Sequence, residues 1–342
     1  YAREPVPGNL ISFAQRADGR WSPGSWRDSG AGYGNGRFAM DVNVIWVPQA
    51  LEAIDRILTA LDDLGFGAEE LTAYARGNQI EALLQHVRDR ATLHSAIDTW
   101  RGARRHFEVA LTGDEAHARA RASLAGVPEM ERRFWQARLD TLQLDPAGMR
   151  FLAVALDSVG RPIPVVNTDP ATRLFLEDPS RLASRAEETL RDIDAIMTPF
   201  PLGLFVPELG PLVANDVYAA PAVRAAFRDD LYHSPHVVWG REVNLLLLGL
   251  ARNITAAYDG AGRLRDPSLS SYIDALRAAL ARTVAAVETS GLKHNELWSY
   301  RMEDGRLLPI RYGASTDIQL WNLTDLAVQF ALDSLRASAR SP

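Results

Sequence analysis

The chain has 342 residues, of which 47% are hydrophobic and 23% are charged, a composition typical of a globular protein with a large core. Its formal net charge of −6 argues against a nucleic-acid partner, because no basic face is available to neutralise phosphates. Cysteine is absent, which excludes disulfides, thiolate metal sites and cysteine nucleophiles.

No segment approaches the roughly 18 apolar residues that a membrane-spanning helix needs. The chain begins at Tyr1 without a methionine, which indicates processing or truncation. The absence of cysteine fits a bacterial cytoplasm or periplasm, and a removed leader favours a periplasmic or secreted location.

Apolar residues recur at a spacing of three to four along most of the chain, as on the buried face of a helix. Glycine or proline separates several of these segments, as at Gly113 and Pro128. The spacing predicts helices over 44–64, 69–74, 79–100, 104–111, 114–124, 129–142, 181–197, 222–227, 241–257, 268–290 and 317–337.

Strand signals are few. Segments 151–156 and 163–166 flank the turn at 157–160 and predict one hairpin, and a second is predicted for 297–302 and 307–311. We therefore predict a single all-α domain over residues 1–342, closed as an α/α toroid or barrel with short β-hairpins in its loops.

The loop over residues 21–43 can bring aromatic rings, a guanidinium and carboxylates close together, since it contains five glycines. Sugars are bound by such a mixture, because rings stack on C–H surfaces while charged groups bond to hydroxyls. The alternative is a surface loop whose tryptophans fill a crevice. The candidate sugar-binding residues of this loop are Trp21, Trp26, Arg27, Asp28, Tyr33, Asn35, Arg37, Asp41 and Asn43.

The segment His294–Trp298 places Glu296 between a histidine and a tryptophan. A carboxyl group in a partly dry cleft can have the displaced pKa that acid–base catalysis requires, whereas the alternative is a solvated glutamate. Hydrolysis of a glycosidic bond needs two carboxyl groups, one as an acid and one as a base. Asp28, near the other end of the chain, is the candidate partner.

A third aromatic segment, Tyr232–Trp239, precedes a helix that is apolar on nearly every face, with Arg241 at its start. An alternative role for His233 and His236 is metal binding, since their spacing of three would suit ligands on a helix. The intervening proline disfavours a helix, and no third ligand is evident. No nucleophile elbow or phosphate-binding loop is present, and no cofactor is predicted.

Asn167–Pro170 predicts a helix cap, with a substrate contact as the alternative.

These motifs resemble the (α/α)6-barrel glycoside hydrolases related to trehalase and to families 37, 63 and 15. The segments Ser25–Ser29, Asp41–Asn43 and Tyr232–Trp239 are similar to the acid-bearing loop, its following helix start and the tyrosine–glycine–valine–tryptophan motif of those enzymes. Glu296 lies where they keep their base. Arg27 and Ser234-Pro235 depart from the family motifs.

The resemblance implies an inverting hydrolase of a small glucoside or related oligosaccharide, with Asp28 as general acid, Asp41 as the alternative acid and Glu296 as general base. It also implies helices ahead of residue 21, supplied by a longer protein or another subunit. The rivals are a non-catalytic carbohydrate-binding or assembly protein and a helical-toroid epimerase or lyase. The predicted substrate contacts are Trp26, Arg27, Asp41, Asn43, Tyr232, Trp239, Arg241, Trp298 and Trp321.

Overall fold

A computed structural model describes residues 1–78, 89–144, 146–313 and 323–338. Across these ranges the protein is mostly helical, with eleven α-helices and several small antiparallel sheets. The helices are α1 Val47–Asp63, α2 Ala68–Gly77, α3 Arg90–Arg101, α4 Gly113–Leu124, α5 Glu129–Leu139, α6 Asp169–Leu176, α7 Leu182–Met197, α8 Pro221–Asp229, α9 Gly240–Ala256, α10 Ser270–Ser290 and α11 Thr324–Ser338.

The strands contribute six sheets of two or three strands within the described ranges. Their order is β1–β2, β9–β10, β8–β11, β4–β5, β3–β6–β7 and β12–β13–β14. Their bounds are β1 Ala14–Gln15, β2 Trp21–Ser22, β3 Phe38–Ala39, β4 Glu108–Leu111, β5 Met149–Leu152, β6 Ala155–Leu156, β7 Pro162–Ile163, β8 Val166–Asn167, β9 Phe205–Val206, β10 Gly210–Pro211, β11 Ala214–Asn215, β12 Val238–Trp239, β13 Leu297–Glu303 and β14 Arg306–Arg311.

Most predicted elements are confirmed, with boundaries shifted by a few residues. The predicted helix over 104–111 is wrong: a 3-10 turn over Gly102–His106 leads into β4, which pairs with β5. Apolar residues two positions apart, such as Val109 and Leu111, fit a strand once a partner is available. The predicted segments 79–88 and 317–322 lie outside the described residues.

Both predicted hairpins are present. In the second, Asp304 and Gly305 have φ angles of 49° and 74°, the left-handed backbone that a two-residue hairpin turn requires. The carboxylate of Asp157 accepts hydrogen bonds from two backbone N–H groups in the turn of the first. Local turn chemistry thus explains why the sequence alone identified them.

Helix α9 lies at the centre of the largest hydrophobic cluster and packs against α6, α10 and α11. It is buried on nearly every face, as predicted. A Cβ atom on Gly249 would lie 2.9 Å from Cγ of Leu174 and from the backbone nitrogen of Phe175. The absence of a side chain at Gly249 is therefore what allows α9 and α6 to approach this closely.

Within the part of the chain that the structure describes, no helix combines the length and apolar character needed to cross a bilayer.

Replacing Gly249 by alanine should destabilise the protein, because the added methyl group meets the backbone of α6. We expect the free energy of unfolding to fall by about 1–3 kcal/mol, measured by urea denaturation. Gly113→Ala is the matched control, since no described atom beyond its chain neighbours and its own helix backbone lies within 4 Å of the position that its Cβ would take, and it should be neutral or slightly stabilising. Equal stability of the two variants would contradict the close packing of α6 and α9.

Candidate functional site

The three loops that carry the predicted site residues lie against one another. We refer to residues 25–29 as the first loop, residues 230–241 as the middle loop and residues 294–298 as the last loop. The hydroxyl of Ser29 donates a hydrogen bond of 2.5 Å to the carboxylate of Asp230, which joins the first loop to the middle loop. These two residues are 201 positions apart in the chain.

The middle loop is joined to the last loop by strand pairing. Trp239 in β12 stands opposite Leu297 in β13, and the backbone N–H of Gly240 donates to the carbonyl of Glu296 at 2.8 Å. A Cβ atom on Gly240 would lie 2.6 Å from the carbonyl oxygen of Asn295. The last loop therefore rests directly on the start of α9.

The indole of Trp26 lies at the centre of an aromatic cluster between the first and middle loops. Its ring centroid lies 5.6 Å from that of Trp239 and 5.7 Å from that of His233, in edge-to-face geometry. The guanidinium of Arg27 lies 4.4 Å from the same ring, and that of Arg241 lies 5.4 Å from it. Trp26 and Trp239 are half-buried, so part of each ring faces solvent.

Beneath this cluster Arg27 forms a fully buried ion pair with Asp169. Nη2 of Arg27 lies 2.9 Å from Oδ1 of Asp169 and donates to the carbonyl of Val213 at 3.3 Å. The indole N–H of Trp26 donates to the same carboxylate oxygen at 3.1 Å. Such a pair is tolerated in the interior because additional hydrogen bonds satisfy it. Nη1 of Arg27 is nevertheless buried without a partner among the described residues.

Three buried carboxyl groups, including that of Asp169 itself, lie at helix starts in this region. Asp41 opens a π-helical stretch that runs into α1, Asp169 is the first residue of α6, and Glu242 is the third residue of α9. The positive ends of helix dipoles favour carboxylates at these positions. The fold thus directs three helix starts and their acids toward the same loops.

Asp41 accepts hydrogen bonds from Ser25 at 2.5 Å and from Tyr33 at 3.1 Å, both on one carboxylate oxygen. Burial, followed by the charge of Asp169, raises the pKa of Asp41 to about 6 despite these bonds. Its other oxygen is buried without a partner within the described ranges. Asp41 can therefore carry a proton close to neutral pH, as a general acid must.

Glu242 is 1% exposed, and each of its two carboxylate oxygens accepts one hydrogen bond. One accepts from Nη1 of Arg241 at 2.6 Å, and the other accepts from the hydroxyl of Thr168 at 3.2 Å. Burial raises the pKa of Glu242 to about 7, although Arg241 opposes the shift. Glu242 thus also changes charge in the physiological range.

The two residues predicted to perform hydrolysis differ in their surroundings. Asp28 is exposed, and its φ angle of 27° is left-handed, a backbone strain that is uncommon outside glycine and that clusters at functional sites. Glu296 is only 8% exposed, and its carbonyl is bonded to Gly240. Both belong to loops that meet at the aromatic cluster.

Other predicted sugar contacts are engaged by the protein itself. The amide of Asn43 bonds to the backbone of Ile11 and Ala39, which ties the N-terminal segment down. Trp298 is 1% exposed, and its indole N–H donates to the carbonyl of Leu209 in the core. Tyr232 is exposed, and its carbonyl accepts from the indole of Trp239 at 2.6 Å. Trp321 lies outside the described residues.

Sequence reasoning missed Asp169 and Glu242 as members of the site. The N-cap of α6 is Thr168, which makes no side-chain capping hydrogen bond, so the cap predicted at Asn167–Pro170 is wrong in that respect; the Asn167 side chain accepts from the N–H of Asp169, and the Asp169 carboxylate turns to Arg27. The available signal was an acid within the first three residues of a helix that follows a loop. That signal is common, so only the tertiary structure makes it specific.

His233 was considered as a metal ligand, but its Nδ1 lies 3.0 Å from the Asp230 carboxylate. Burial alone would raise the pKa of Asp230, yet hydrogen bonds from His233 and Ser29 outweigh it and lower that pKa. Nε2 of His233 has no partner among the described residues. No group of three or more potential ligands in the described ranges could hold a metal ion.

An open cleft of about 420 Å³ lies elsewhere, between α1, α3 and α7. Its arginines pair with acids of the protein: Arg101 with Glu52, and Arg104 with Asp192. Arg173 also contacts Asp192. Because these charges are balanced internally, the cleft is a weaker candidate for ligand binding than the aromatic cluster.

Removing the Arg27 charge should leave Asp169 buried without its counter-ion. We expect Arg27→Met to lower the free energy of unfolding by about 3–5 kcal/mol in urea denaturation. Adding Asp169→Asn to this variant should restore part of the loss, because the unpaired charge disappears.

The control is Arg16→Met, which breaks an exposed ion pair with Asp18 at 3.8 Å. This surface change should cost less than about 1 kcal/mol. A similarly small cost for Arg27→Met would show that the buried pair does not hold the first loop.

The raised pKa of Glu242 also predicts a dependence of stability on pH. The stability that comes from its protonated form is fully present below its usual pKa of 4.5 and is lost as pH rises through about 7. Glu242→Gln should therefore gain stability over the wild type by roughly 2–3 kcal/mol between about pH 4.5 and about pH 8. Thermal unfolding across this range measures the difference in stability between the two proteins. A difference that does not change with pH would rule out titration of Glu242 in the folded protein.

Comparison of the chain with protein-family models, with curated proteins and with solved structures finds no match. The resemblance to (α/α)6-barrel glycoside hydrolases therefore stays a prediction. The function has to be inferred from the chemistry of the site.

Proposed function

We propose that the protein is an inverting glycoside hydrolase that acts on a small glucoside or a related oligosaccharide. The observation that carries this proposal is the meeting of the first, middle and last loops around two partly exposed tryptophans, with buried carboxyl groups at three helix starts. Glycosidic hydrolysis needs two carboxyl groups beside a surface that binds a sugar ring. Asp28 and Glu296 belong to these loops, and Asp41 is bonded to Ser25 of the first loop.

The partly exposed rings of Trp26 and Trp239 suit the C–H face of a sugar. Nη1 of Arg27 and one carboxyl oxygen of Asp41 are buried and have no partner among the residues that the structure describes, whereas the guanidinium of Arg241 beside the rings is partly exposed. A hydroxyl group accepts and donates hydrogen bonds, so it can bond to the guanidinium of Arg241 while the C–H face of its ring lies on the indoles. This complementarity favours a hydroxyl-rich ligand over an apolar one.

In the proposed reaction one carboxylic acid protonates the leaving oxygen while a carboxylate on the opposite side activates water. Asp28 is assigned as the acid and Glu296 as the base. Asp41 is the alternative acid, and its pKa of about 6 supports that role because a larger fraction of it is protonated near neutral pH than of an ordinary aspartic acid.

We also propose that the helices form an (α/α)6 barrel. Helix α1 packs with α3, α6 with α7, and α9 with α10, and each pair resembles one hairpin of such a ring. The starts of the π-helical stretch at Asp41, of α6 and of α9 lie at one end, where the loops of the proposed site meet. A ring explains how residues near both ends of the sequence reach one aromatic cluster.

Substitution of the acids tests the assignment. Asp28→Asn and Glu296→Gln should each lower kcat by about 10²–10⁴-fold on a disaccharide panel of trehalose, maltose, isomaltose and cellobiose, since each removes a proton-transfer group. Proton NMR of the first product should show inverted anomeric configuration.

Asp41→Asn decides between the two candidate acids: full activity leaves Asp28 as the acid, whereas loss of activity in Asp41→Asn with an active Asp28→Asn reverses the assignment. Asp63→Asn, on the last turn of α1 and away from the three loops, is the control and should keep wild-type activity. Saturable sugar binding without product in the wild type would support a non-catalytic binding protein instead.

A further inference from the structure

Glu242 is a buried carboxyl group that the hydrolytic mechanism does not use. It lies in the first turn of α9, next to Arg241, whose side chain is 24% exposed. The two residues are joined by an ion pair of 2.6 Å. A buried acid therefore holds a cation that reaches the surface of the site.

We propose that Glu242 is a positioning residue that holds the guanidinium of Arg241 over the indole of Trp26, where it contacts a hydroxyl-bearing ligand. The guanidinium lies 5.4 Å from the centroid of that ring. This inference rests on the proposed function, because it takes the sugar-binding surface of that site as given. It adds a residue that neither contacts the reacting bond nor belongs to the predicted set.

Stability does not account for a carboxylate at this position. Taking an ionised group out of water costs several kcal/mol by order of magnitude, and a partly exposed arginine gains little from the pair because water already solvates it. The raised pKa of Glu242 expresses the same cost. A buried acid that destabilises the fold at neutral pH indicates a functional constraint.

The ion pair with Glu242 fixes the orientation of the Arg241 side chain. A free arginine samples many rotamers, so fixing one of them beforehand lowers the entropy lost on binding. The second oxygen of Glu242 accepts from Thr168, which fixes the carboxylate itself from the residue before α6. Within the described residues Nη1 is the only nitrogen of Arg241 with a protein acceptor, so the remaining N–H groups can donate to a ligand.

The charged groups that act on Glu242 come from three directions. Arg241 lies on the same helix, Asp169 lies at the start of α6, and Arg27 lies in the first loop. The two arginines favour the ionised carboxylate, whereas burial and Asp169 favour its protonated form. As pH falls through about 7, protonation of Glu242 weakens the pair and releases Arg241.

The test is calorimetric titration of D-glucose into the wild type and into Glu242→Gln and Arg241→Gln, at about pH 5.5 and about pH 8.5. We expect the wild type to bind several-fold more tightly at the higher pH. Arg241→Gln should weaken binding at the higher pH by about tenfold or more, the effect of one hydrogen bond to a charged group. Glu242→Gln should bind weakly at both pH values, because its neutral amide no longer holds the guanidinium.

Two control variants test whether the change in affinity for D-glucose comes from Glu242 and not from the loss of any buried acid. Asp216→Asn removes a buried acid outside the three loops whose pKa burial raises to about 6, and it should keep the change in affinity near pH 7. Glu52→Gln alters a buried glutamate on α1 that is paired with Arg101 in the distant cleft, and its affinity for D-glucose should equal that of the wild type.

The inference is overturned if Glu242→Gln keeps the wild-type affinity and pH dependence, if wild-type binding does not change with pH, or if the wild type does not bind D-glucose. Hydrolysis of the disaccharide panel is measured separately. Glucose binding that depends on pH, without hydrolysis, contradicts the proposed function alone, whereas hydrolysis with an unchanged KM in Glu242→Gln contradicts this inference alone.

Discussion

The buried ion pair between Arg27 and Asp169 is the interaction on which the site depends. Oδ1 of Asp169 accepts from both Arg27 and the indole N–H of Trp26, so a single carboxylate fixes two consecutive residues of the first loop. Trp239 and His233 then pack against the indole. A glycine-rich loop with only a few short elements acquires a defined geometry in this way, because its anchor is the start of a helix.

That anchor also shapes the chemistry around it. Asp169 is the second-largest cause of the raised pKa of Asp41 and acts in the same direction on Glu242, since a like charge disfavours ionisation. Arg27 opposes both effects. Burial is the largest cause of both raised pKa values and the charge of Asp169 adds to it, so these two acids titrate close to neutral pH instead of near 4.

Local signals in the sequence predicted most of the fold. The apolar face of α1 and the Asp304-Gly305 turn act over a few residues, so periodicity and turn chemistry suffice to identify them. The segment 104–111 could not be predicted in this way, because β4 is a strand only through its pairing with β5, about 40 positions later. Propensity gives no information about a distant partner.

The same limit applies to the site. Meeting of the loops was expected from the idea of a closed ring, but Asp169 and Glu242 were not singled out, since their partners Arg27 and Arg241 are identified only by tertiary contacts or side-chain direction. Asn43 is predicted as a sugar contact because it belongs to the loop over residues 21–43 and to the segment Asp41–Asn43 that resembles the glycoside hydrolases. In the folded protein that amide bonds to the backbone at Ile11.

Strand register explains why one predicted tryptophan faces the site and another does not. In the antiparallel pair of β12 and β13, Trp239 stands opposite Leu297 and Val238 stands opposite Trp298. Opposite residues share a face of a sheet and successive residues alternate between faces. Val238 and Trp298 accordingly belong to the main core, whereas Leu297 and Trp239 join the cluster that contains Trp26. A shift of one position in this register would exchange the two indoles, so the pairing of β12 with β13 selects which tryptophan a ligand can reach.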